Sequence, residues 1–227
     1  MRSPEEMDDP RLCANAHHHA LRSLAFTNHL LGVDNSVRRA LNRAAPAHSS
    51  VLDLGCGGGA LLSSLDSARS RKFLVGVDRS EFALKSADNI NPLVAWIVAD
   101  VRRIPLAADS VDVVVCTLLM HHFDPDDAVA VLAEAARVAR CAVVISDLTR
   151  SRMAWLLTWA STRLLSRSWV FHLDGPRSVR AAYVCAEMHT LARRAGLKSA
   201  IITRQFPFRM LLVWLKPASA TGICHGL

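Results

Sequence analysis

Three glycines occupy every second position in the stretch VLDLGCGGGA, at Gly55, Gly57 and Gly59. They follow a short apolar run and precede a segment that is compatible with a helix. Without a side chain the backbone can turn sharply here and approach a ligand closely, while the first amides of the helix face the same ligand. Because Ala60 also completes the G-x-G-x-x-G/A pattern of dinucleotide sites, the glycines predict a nucleotide or nucleoside site without deciding which.

Three aspartates accompany three successive apolar runs. Asp53 stands two residues before the first glycine. Burying a carboxylate there is costly unless loop amides donate hydrogen bonds to it or a cationic ligand group pairs with it. Asp78 ends the run FLVGVD, and Asp100 ends the run VAWIVAD. A carboxylate at the tip of the strand beside a glycine loop can accept hydrogen bonds from two ribose hydroxyls. We therefore expect the three acids to belong to one ligand site.

Three histidines are candidates for proton transfer. His121 and His122 follow the run VDVVVC, and His172 lies near Asp174, whose carboxylate could orient the imidazole and raise its basicity. A neutral histidine within hydrogen-bond reach can take a proton from a phenol-like hydroxyl. We predict His122, His172 and His121 as candidate general bases or acceptor-positioning residues.

Alternating strands and helices must position these residues. Five apolar, β-branched runs begin at residues 51, 73, 94, 111 and 141, with helix-compatible segments at 60–68, 80–88 and 126–139. Near-continuous apolar strands that alternate with helices indicate a parallel sheet covered on both faces. The runs KSAIITR and RMLLVWL lie too close together for a parallel crossover, so they predict a hairpin. The expected fold is a Rossmann-like three-layer α/β sandwich with a mostly parallel seven-stranded sheet and an antiparallel last strand.

The segments outside these runs suggest a cover and an insertion. Residues 15–45 are expected to form one or two helices within an N-terminal helical cover, 1–47. The main domain, 48–216, contains a helical insertion at 150–178, and 217–227 form a tail. Within the insertion, 153–173 reads as one apolar helical segment that packs on the domain, covers a substrate or contacts lipid. Trp155, Leu156, Trp159 and Leu165 are expected to share its apolar face.

Composition excludes several classes of protein. The 227 residues suffice for one well-buried domain, and no apolar run is long enough to span a bilayer. The acidic N-terminus lacks the order of a signal peptide, so a cytoplasmic protein is expected. Six cysteines without a CxxC pair indicate reduced thiols. The net charge of +7 comes from scattered arginines, which favour solvated surfaces over nucleic-acid binding.

The motifs together resemble the class I S-adenosylmethionine-dependent methyltransferases over about residues 48–215. VLDLGCGGG is similar to their first motif, VGVDRS to the acidic second and VAD with Val101 to the third. VDVVVCTLLMHHF resembles their fourth, and the terminal hairpin resembles their reversed last strand. The likeness is greatest to bacterial small-molecule enzymes of the methyltransferase-domain 11 and 12 type, some of which accompany aromatic polyketide or phenolic-lipid pathways. It implies S-adenosylmethionine as cofactor, S-adenosylhomocysteine as product and a place in secondary metabolism.

The resemblance also implies roles for the loop residues. The loop Gly55–Gly59, with Cys56, would line the methionine and ribose portions of the cofactor, and Asp53 would lie near its amino group. A His-His pair is common to methyltransferases with different acceptors, which implies that at least one of His121 and His122 is structural.

Further cofactor contacts follow from the other motifs. Asp78 would bind both ribose hydroxyls, with Arg79 beside it. Asp100 and Val101 would meet the adenine, and Thr117 would complete the cofactor site.

The fourth motif excludes some classes of acceptor. TLLMHH replaces the Asn/Asp-Pro-Pro-aromatic tetrad of enzymes that methylate nucleobase amines or glutamine amides. The range 117–122 also lacks the acids with which catechol-type enzymes hold magnesium, so a metal-independent reaction is expected. The preferred reaction is O-methylation of a phenolic hydroxyl on a small hydrophobic or aromatic acceptor. C-methylation of a quinone-like or polyketide ring, lipid methylation at a membrane surface, a nicotinamide-dependent oxidoreductase and an inactive cofactor-binding subunit remain alternatives, and the oligomeric state stays open.

Overall fold

The computed structural model describes residues 5–6, 12–30, 33–45, 49–67 and 73–217. Apart from residue 217, the predicted tail lies outside these ranges. Eight α-helices are present in the described part of the chain: α1 Ala14–Leu30, α2 Val33–Ala44, α3 Ala60–Ser67, α4 Glu81–Ile90, α5 Pro125–Val138, α6 Arg152–Leu165, α7 Trp169–Ala181 and α8 Cys185–Arg194. A short 3₁₀ turn spans Met120–His122.

Seven strands form one sheet, as the sequence predicted. They are β1 Val51–Leu54, β2 Leu74–Asp78, β3 Ala95–Val98, β4 Val111–Thr117, β5 Ala139–Leu148, β6 Ile201–Gln205 and β7 Arg209–Leu215. The order is β3-β2-β1-β4-β5-β7-β6, and β7 pairs antiparallel with both neighbours while the other pairs are parallel. The order reverses beside β1, where α/β sheets open a crevice for ligands at the carboxyl ends of their strands.

Side chains along the central strands belong alternately to two hydrophobic cores, one on each face of the sheet. On β1, Leu52 and Leu54 belong to one core, which α5 and α8 cover, while Val51 belongs to the other, which α2, α3 and α4 cover. On β4, Val114 and Val115 divide in the same way. Successive side chains of a strand point to opposite faces, so near-continuous apolar strands require helices on both sides. The three-layer prediction is confirmed.

The N-terminal helices have different neighbours. Helix α2 packs against β5 and β7 and helps to cover one face of the sheet. Helix α1 packs against α2 and α7, and the hydroxyls of Ser23 and Ser166 lie 2.7 Å apart. The five cysteines within the described residues carry free thiols. None of the described helices combines the length and apolar character that a membrane span needs.

The prediction of a single helical segment over 153–173 is wrong. These residues belong to two helices, α6 and α7, which are separated by a break at 166–168. The Ser166 backbone is extended (φ −137°, ψ 147°), which ends α6. The Ser168 hydroxyl accepts a hydrogen bond from the amide of Phe171 and caps α7. Serine side chains offer such local hydrogen bonds and so compete with an unbroken helix. The second helix continues to Ala181, past the predicted end of the insertion at residue 178.

Helix α6 exposes large apolar side chains and buries small residues. Leu156 and Trp159 are exposed, whereas Ala154 and Thr162 are buried. A Cβ on Gly175 of α7 would lie 2.8 Å from the Thr162 methyl, so the missing side chain allows the small face of α6 to approach α7 closely. The guanidinium of Arg163 stacks over the exposed Trp159 ring at 4.4 Å. The side chain of Leu165 lies outside the described part of the structure, and a lipid-contacting surface stays a prediction.

Candidate functional site

The glycine loop forms one wall of the site. Gly55, Gly57 and Gly59 have φ values of 68°, 50° and 72°, a region that L side chains rarely adopt. A Cβ on Gly55 would lie 2.7 Å from Leu119, and one on Gly59 would lie 2.4 Å from the Trp96 ring. Both backbone conformation and packing therefore require glycine at these two positions. The amides of Gly55 and Cys56 donate to the carbonyl oxygen of Val77, which ties the loop to β2.

Asp78 lies at the carboxyl end of β2, directly beside this loop. Its two oxygens accept hydrogen bonds from the amides of Gly57 and Ser80, each at 2.8 Å. Asp78 therefore orders the loop while its carboxylate lines the cavity described below. Arg79, the next residue, lines the same cavity.

Asp53 and Cys56 lie behind the loop rather than on its open side. Asp53 is only 1% exposed within β1, and Cys56 is also buried. Burial and the charges of Asp53 and Asp78 raise the pKa of the Cys56 thiol far above its usual range. Cys56 is therefore a protonated packing residue at neutral pH.

The third motif lies beyond its strand. Strand β3 ends at Val98, two residues earlier than the sequence run suggested, and Asp100 and Val101 follow in the loop. Arg102 makes a two-pronged ion pair with Asp100, with contacts of 2.7–3.1 Å, and this hydrogen bonding lowers the pKa of Asp100. Both Asp100 and Val101 line the cavity. Thr117, by contrast, is a described residue that lies outside the cavity lining, and Leu118 and Leu119 take the equivalent place.

The fourth motif places two histidines at the far side of the cavity. Nδ1 of His121 lies 2.7 Å from the Asp147 carboxylate, and its backbone amide donates to the same side chain. Burial opposes the charged imidazolium, but the charge and hydrogen bond of Asp147 outweigh it, with help from Glu5, and raise the pKa of His121 to about 10. His121 is thus held in one orientation. His122 is the more accessible of the two, with its side chain 25% exposed.

Glu5 completes a cluster that sequence reasoning missed. Its carboxylate lies 3.5 Å from Nε2 of His121 and 3.8 Å from Nε2 of His122, and it accepts a hydrogen bond from the Ser178 hydroxyl. Burial raises the pKa of Glu5, but the hydrogen bond to His121 and the charges of both histidines outweigh burial and lower it. The adjacent Glu6 amide donates to the buried Asp174 carboxylate at 2.9 Å.

His172 lies apart from this cluster. It belongs to α7 rather than to a loop after the helix, and its Nε2 lies 2.8 Å from the carbonyl oxygen of Ser166. Among the described residues it is outside the cavity lining. The structure therefore gives His172 a place at the α6–α7 junction and no contact with the site.

A single cavity joins these features. Its volume is 680 Å³, within the usual range for small-molecule sites. The glycine loop, Asp78 and Asp100 line one part, and Glu5, His121 and His122 line another. Apolar residues of α6 and α7 provide much of the remaining wall, among them Leu157, Phe171 and Val179. Leu119 and Phe123, on either side of the 3₁₀ turn, add to it. The buried guanidinium of Arg209 also contributes.

Comparison with known proteins identifies this arrangement. A family model described as "Methyltransferase domain" matches residues 51–141, which include the glycine loop, Asp78, Asp100 and the histidine pair. The chain contains a class I S-adenosylmethionine-dependent methyltransferase domain. This domain also resembles solved structures. A SAM-dependent methyltransferase from Aquifex aeolicus aligns with a TM-score of 0.60 at 17% identity, over 83% of this chain and 91% of that one.

Two further proteins carry the comparison beyond the matched residues. The ubiquinone biosynthesis O-methyltransferase of Bordetella parapertussis is 33% identical over 159 residues, which are 65% of this chain and 61% of that protein. Magnesium protoporphyrin IX methyltransferase of Synechocystis, solved with bound SAM, aligns with a TM-score of 0.54 at 15% identity, over 93% and 88% of the chains. The chain spans less than two thirds of the length of the curated relatives it matches.

Proposed function

We propose that the protein transfers the methyl group of S-adenosylmethionine to a phenolic hydroxyl of a small, hydrophobic aromatic acceptor. One observation carries this proposal. A single cavity extends from the glycine loop of the methyltransferase domain to a pair of histidines at the carboxyl edge of the sheet. A cofactor bound at one end would therefore share a space with an acceptor bound at the other.

The residues present fit the cofactor. Gly55 and Gly57, both at positive φ, line the cavity without a side chain, and the Asp78 carboxylate is already held at the cavity by two amides. We assign the ribose hydroxyls to Asp78 and the adenine to Asp100 and Val101, with Asp53 and Cys56 supporting the loop from behind. The cofactor supplies a methyl group on an activating sulfonium. The protein's own task is to align the acceptor oxygen with that methyl carbon, and positioning supplies much of the acceleration.

The walls of the cavity favour an apolar acceptor with a polar end. Leu157, Phe171 and Val179 provide an apolar surface, while the histidine pair with Glu5 provides the polar end. An aromatic ring with one or two hydroxyl groups matches both regions. The curated relatives that the chain matches are O-methyltransferases, which supports oxygen as the methylated atom.

The acceptor hydroxyl must lose its proton as the oxygen–carbon bond forms and the carbon–sulfur bond breaks. When no metal ion is bound, we assign His122 as the base that accepts this proton, because its side chain is partly exposed at the cavity. His121 is less suited, since Asp147 holds its Nδ1 and the raised pKa favours the protonated form. His121 would instead hold Glu5 and His122 in position.

The test combines binding and turnover. Calorimetric titration with S-adenosylhomocysteine should give micromolar or tighter binding, and NADH in a parallel titration should give none. Incubation with S-adenosylmethionine and alkyl-substituted catechols should add one methyl group by mass spectrometry, and carbon NMR should place it on oxygen. The matched control acceptor is the same ring with its hydroxyls replaced by hydrogen, which should not react.

Each other result contradicts a defined part of the proposal. Binding of S-adenosylhomocysteine with a methyl group found on ring carbon would overturn O-methylation in favour of C-methylation. Binding without turnover on any phenolic or quinone-like acceptor would favour an inactive cofactor-binding subunit. A folded sample that binds no S-adenosylhomocysteine would refute the cofactor assignment itself.

A further inference from the structure

Glu5, His121 and His122 form a compact set of metal-ligating atoms. Each residue offers one oxygen or nitrogen, and the three atoms all lie within 4.8 Å of one another. The carboxylate oxygens of Glu5 are 3.5 Å and 3.8 Å from the two Nε2 atoms. Two ligands bound to one Zn²⁺ ion at about 2.1 Å in tetrahedral geometry lie about 3.4 Å apart. The cluster therefore needs only small side-chain adjustments to coordinate an ion.

Asp147 prepares His121 for this role. Its carboxylate lies 2.7 Å from Nδ1 of His121, so the other ring nitrogen, Nε2, faces Glu5. Ligand histidines of metal sites commonly donate their second N–H to a carboxylate, which fixes the ring and increases its basicity. Asp147 is 2% exposed and its position at the end of β5 is fixed by the sheet, so this support is rigid.

The surroundings leave room for a fourth ligand. All three residues line the cavity, so an ion between them would face the space that we assign to the acceptor. Three protein ligands with an open position are typical of catalytic rather than structural zinc sites. Ser178 holds the Glu5 carboxylate from the side of α7, which keeps the oxygen donor in place.

We propose that Glu5, His121 and His122 bind a divalent transition-metal ion of the Zn²⁺ type at the polar end of the cavity. Two imidazoles and one carboxylate suit Zn²⁺ and its first-row neighbours, whereas Mg²⁺ prefers oxygen ligands. The fourth motif gave no sign of this site because the range 117–122 contains no acid. The carboxylate comes instead from Glu5, more than a hundred residues away in sequence.

The role of the ion, though not its binding, rests on the proposed function. A bound Zn²⁺ lowers the pKa of an oxygen ligand, so it would favour the ionised form of an acceptor hydroxyl at neutral pH. His122 is then a metal ligand, and it serves as the base only when the ion is absent.

The test measures metal binding directly. Protein freed of metal with a chelator is titrated with Zn²⁺ by calorimetry, and with Mg²⁺ for comparison. We expect one Zn²⁺ site per chain and no comparable Mg²⁺ binding. Glu5→Gln and His122→Ala should abolish the site, and Asp147→Asn should weaken it by about 10- to 100-fold because the ion keeps its ligands but loses their support. Substitution with Co²⁺ should give visible absorption bands that change in the same variants.

Matched controls separate this site from adventitious binding. His18 and His19 are exposed neighbours on α1, and the double change His18→Ala with His19→Ala should leave the Zn²⁺ site intact. Glu6→Gln removes the adjacent carboxylate and should also leave it intact. Zn²⁺ binding that is lost with His18 and His19 but survives Glu5→Gln would overturn the proposal, as would the absence of a Zn²⁺ site in folded wild-type protein.

Binding of S-adenosylhomocysteine is measured in the same samples. It depends on the glycine loop and Asp78, so it should survive in all of these variants. Wild-type protein that binds S-adenosylhomocysteine but has no Zn²⁺ site would refute the metal site alone, whereas folded wild-type protein that fails to bind S-adenosylhomocysteine would refute the proposed function.

Discussion

Replacement of Asp78 by alanine tests the cofactor site most directly. In the structure, the Asp78 carboxylate bonds the amides of Gly57 and Ser80, each at 2.8 Å, and also lines the cavity. The change removes the acceptors that we assign to the two ribose hydroxyls and also loosens the loop. Lost hydrogen bonds to a charged group cost about 1–3 kcal/mol. This corresponds to a rise of about 5- to 150-fold in the Kd for S-adenosylhomocysteine.

Two companion variants make the measurement specific. Asp78→Asn keeps one carbonyl oxygen, which can still accept a hydrogen bond, so its loss of affinity should lie between those of the wild type and the alanine variant. Asp88→Ala removes an exposed carboxylate from α4, outside the cavity lining, and should bind as the wild type does. Calorimetric titration gives the three affinities, and thermal unfolding shows whether each variant is folded. A folded Asp78→Ala protein with wild-type affinity would refute the assignment of the ribose to this carboxylate.

The fold was predictable because the composition of each strand indicates how it is buried. Runs such as VDVVVC are rich in β-branched residues and, apart from Asp112, apolar, which indicates a strand buried on both faces. The antiparallel hairpin followed from chain length, because so few residues separate β6 from β7 that no crossover can form. The glycine loop was predictable for a similar local reason, since positive φ values at Gly55 and Gly59 restrict the residue type.

The helical insertion was less predictable because its packing depends on a residue on another helix. Apolar periodicity placed Leu156 and Trp159 on one face of α6 but left open whether that face packs on the domain, covers a substrate or contacts lipid. In the structure both side chains are exposed, and the small face of α6 packs instead. Gly175 on α7 creates the space that Thr162 fills, and no periodicity in α6 reports this. The break between α6 and α7 had a signal in Ser166 and Ser168, whose side chains both accept backbone hydrogen bonds.

The sequence around Glu5 did not predict its place in the site, because only the tertiary fold brings its partners next to it. Its neighbours in the sequence are polar and show no periodicity, while its contacts lie on the 3₁₀ turn after β4 and on α7. Asp147 did carry a signal that pattern reading passed over. An acid near the end of the apolar run CAVVISD, like Asp53 in VLDL, is costly to bury unless a partner is waiting.

Two further predictions concern stability. Gly175→Ala should lower the free energy of unfolding by about 1–3 kcal/mol, because the new Cβ meets the Thr162 methyl. Adding Thr162→Ser should restore part of the loss, and a larger loss in the double variant would contradict this packing. Asp112 is partly buried, yet its hydrogen bonds to Ser50 and its pairing with Arg140 outweigh burial and lower its pKa below 3.8. Its stabilising effect is therefore full above the unfolded pKa and is lost as pH falls through the lower, folded value. In urea titrations, Asp112→Asn should cost most stability near neutral pH and progressively less below about pH 4. Asp126→Asn, whose carboxylate is 91% exposed, is the matched control, and equal pH profiles for the two variants would refute the role of Asp112.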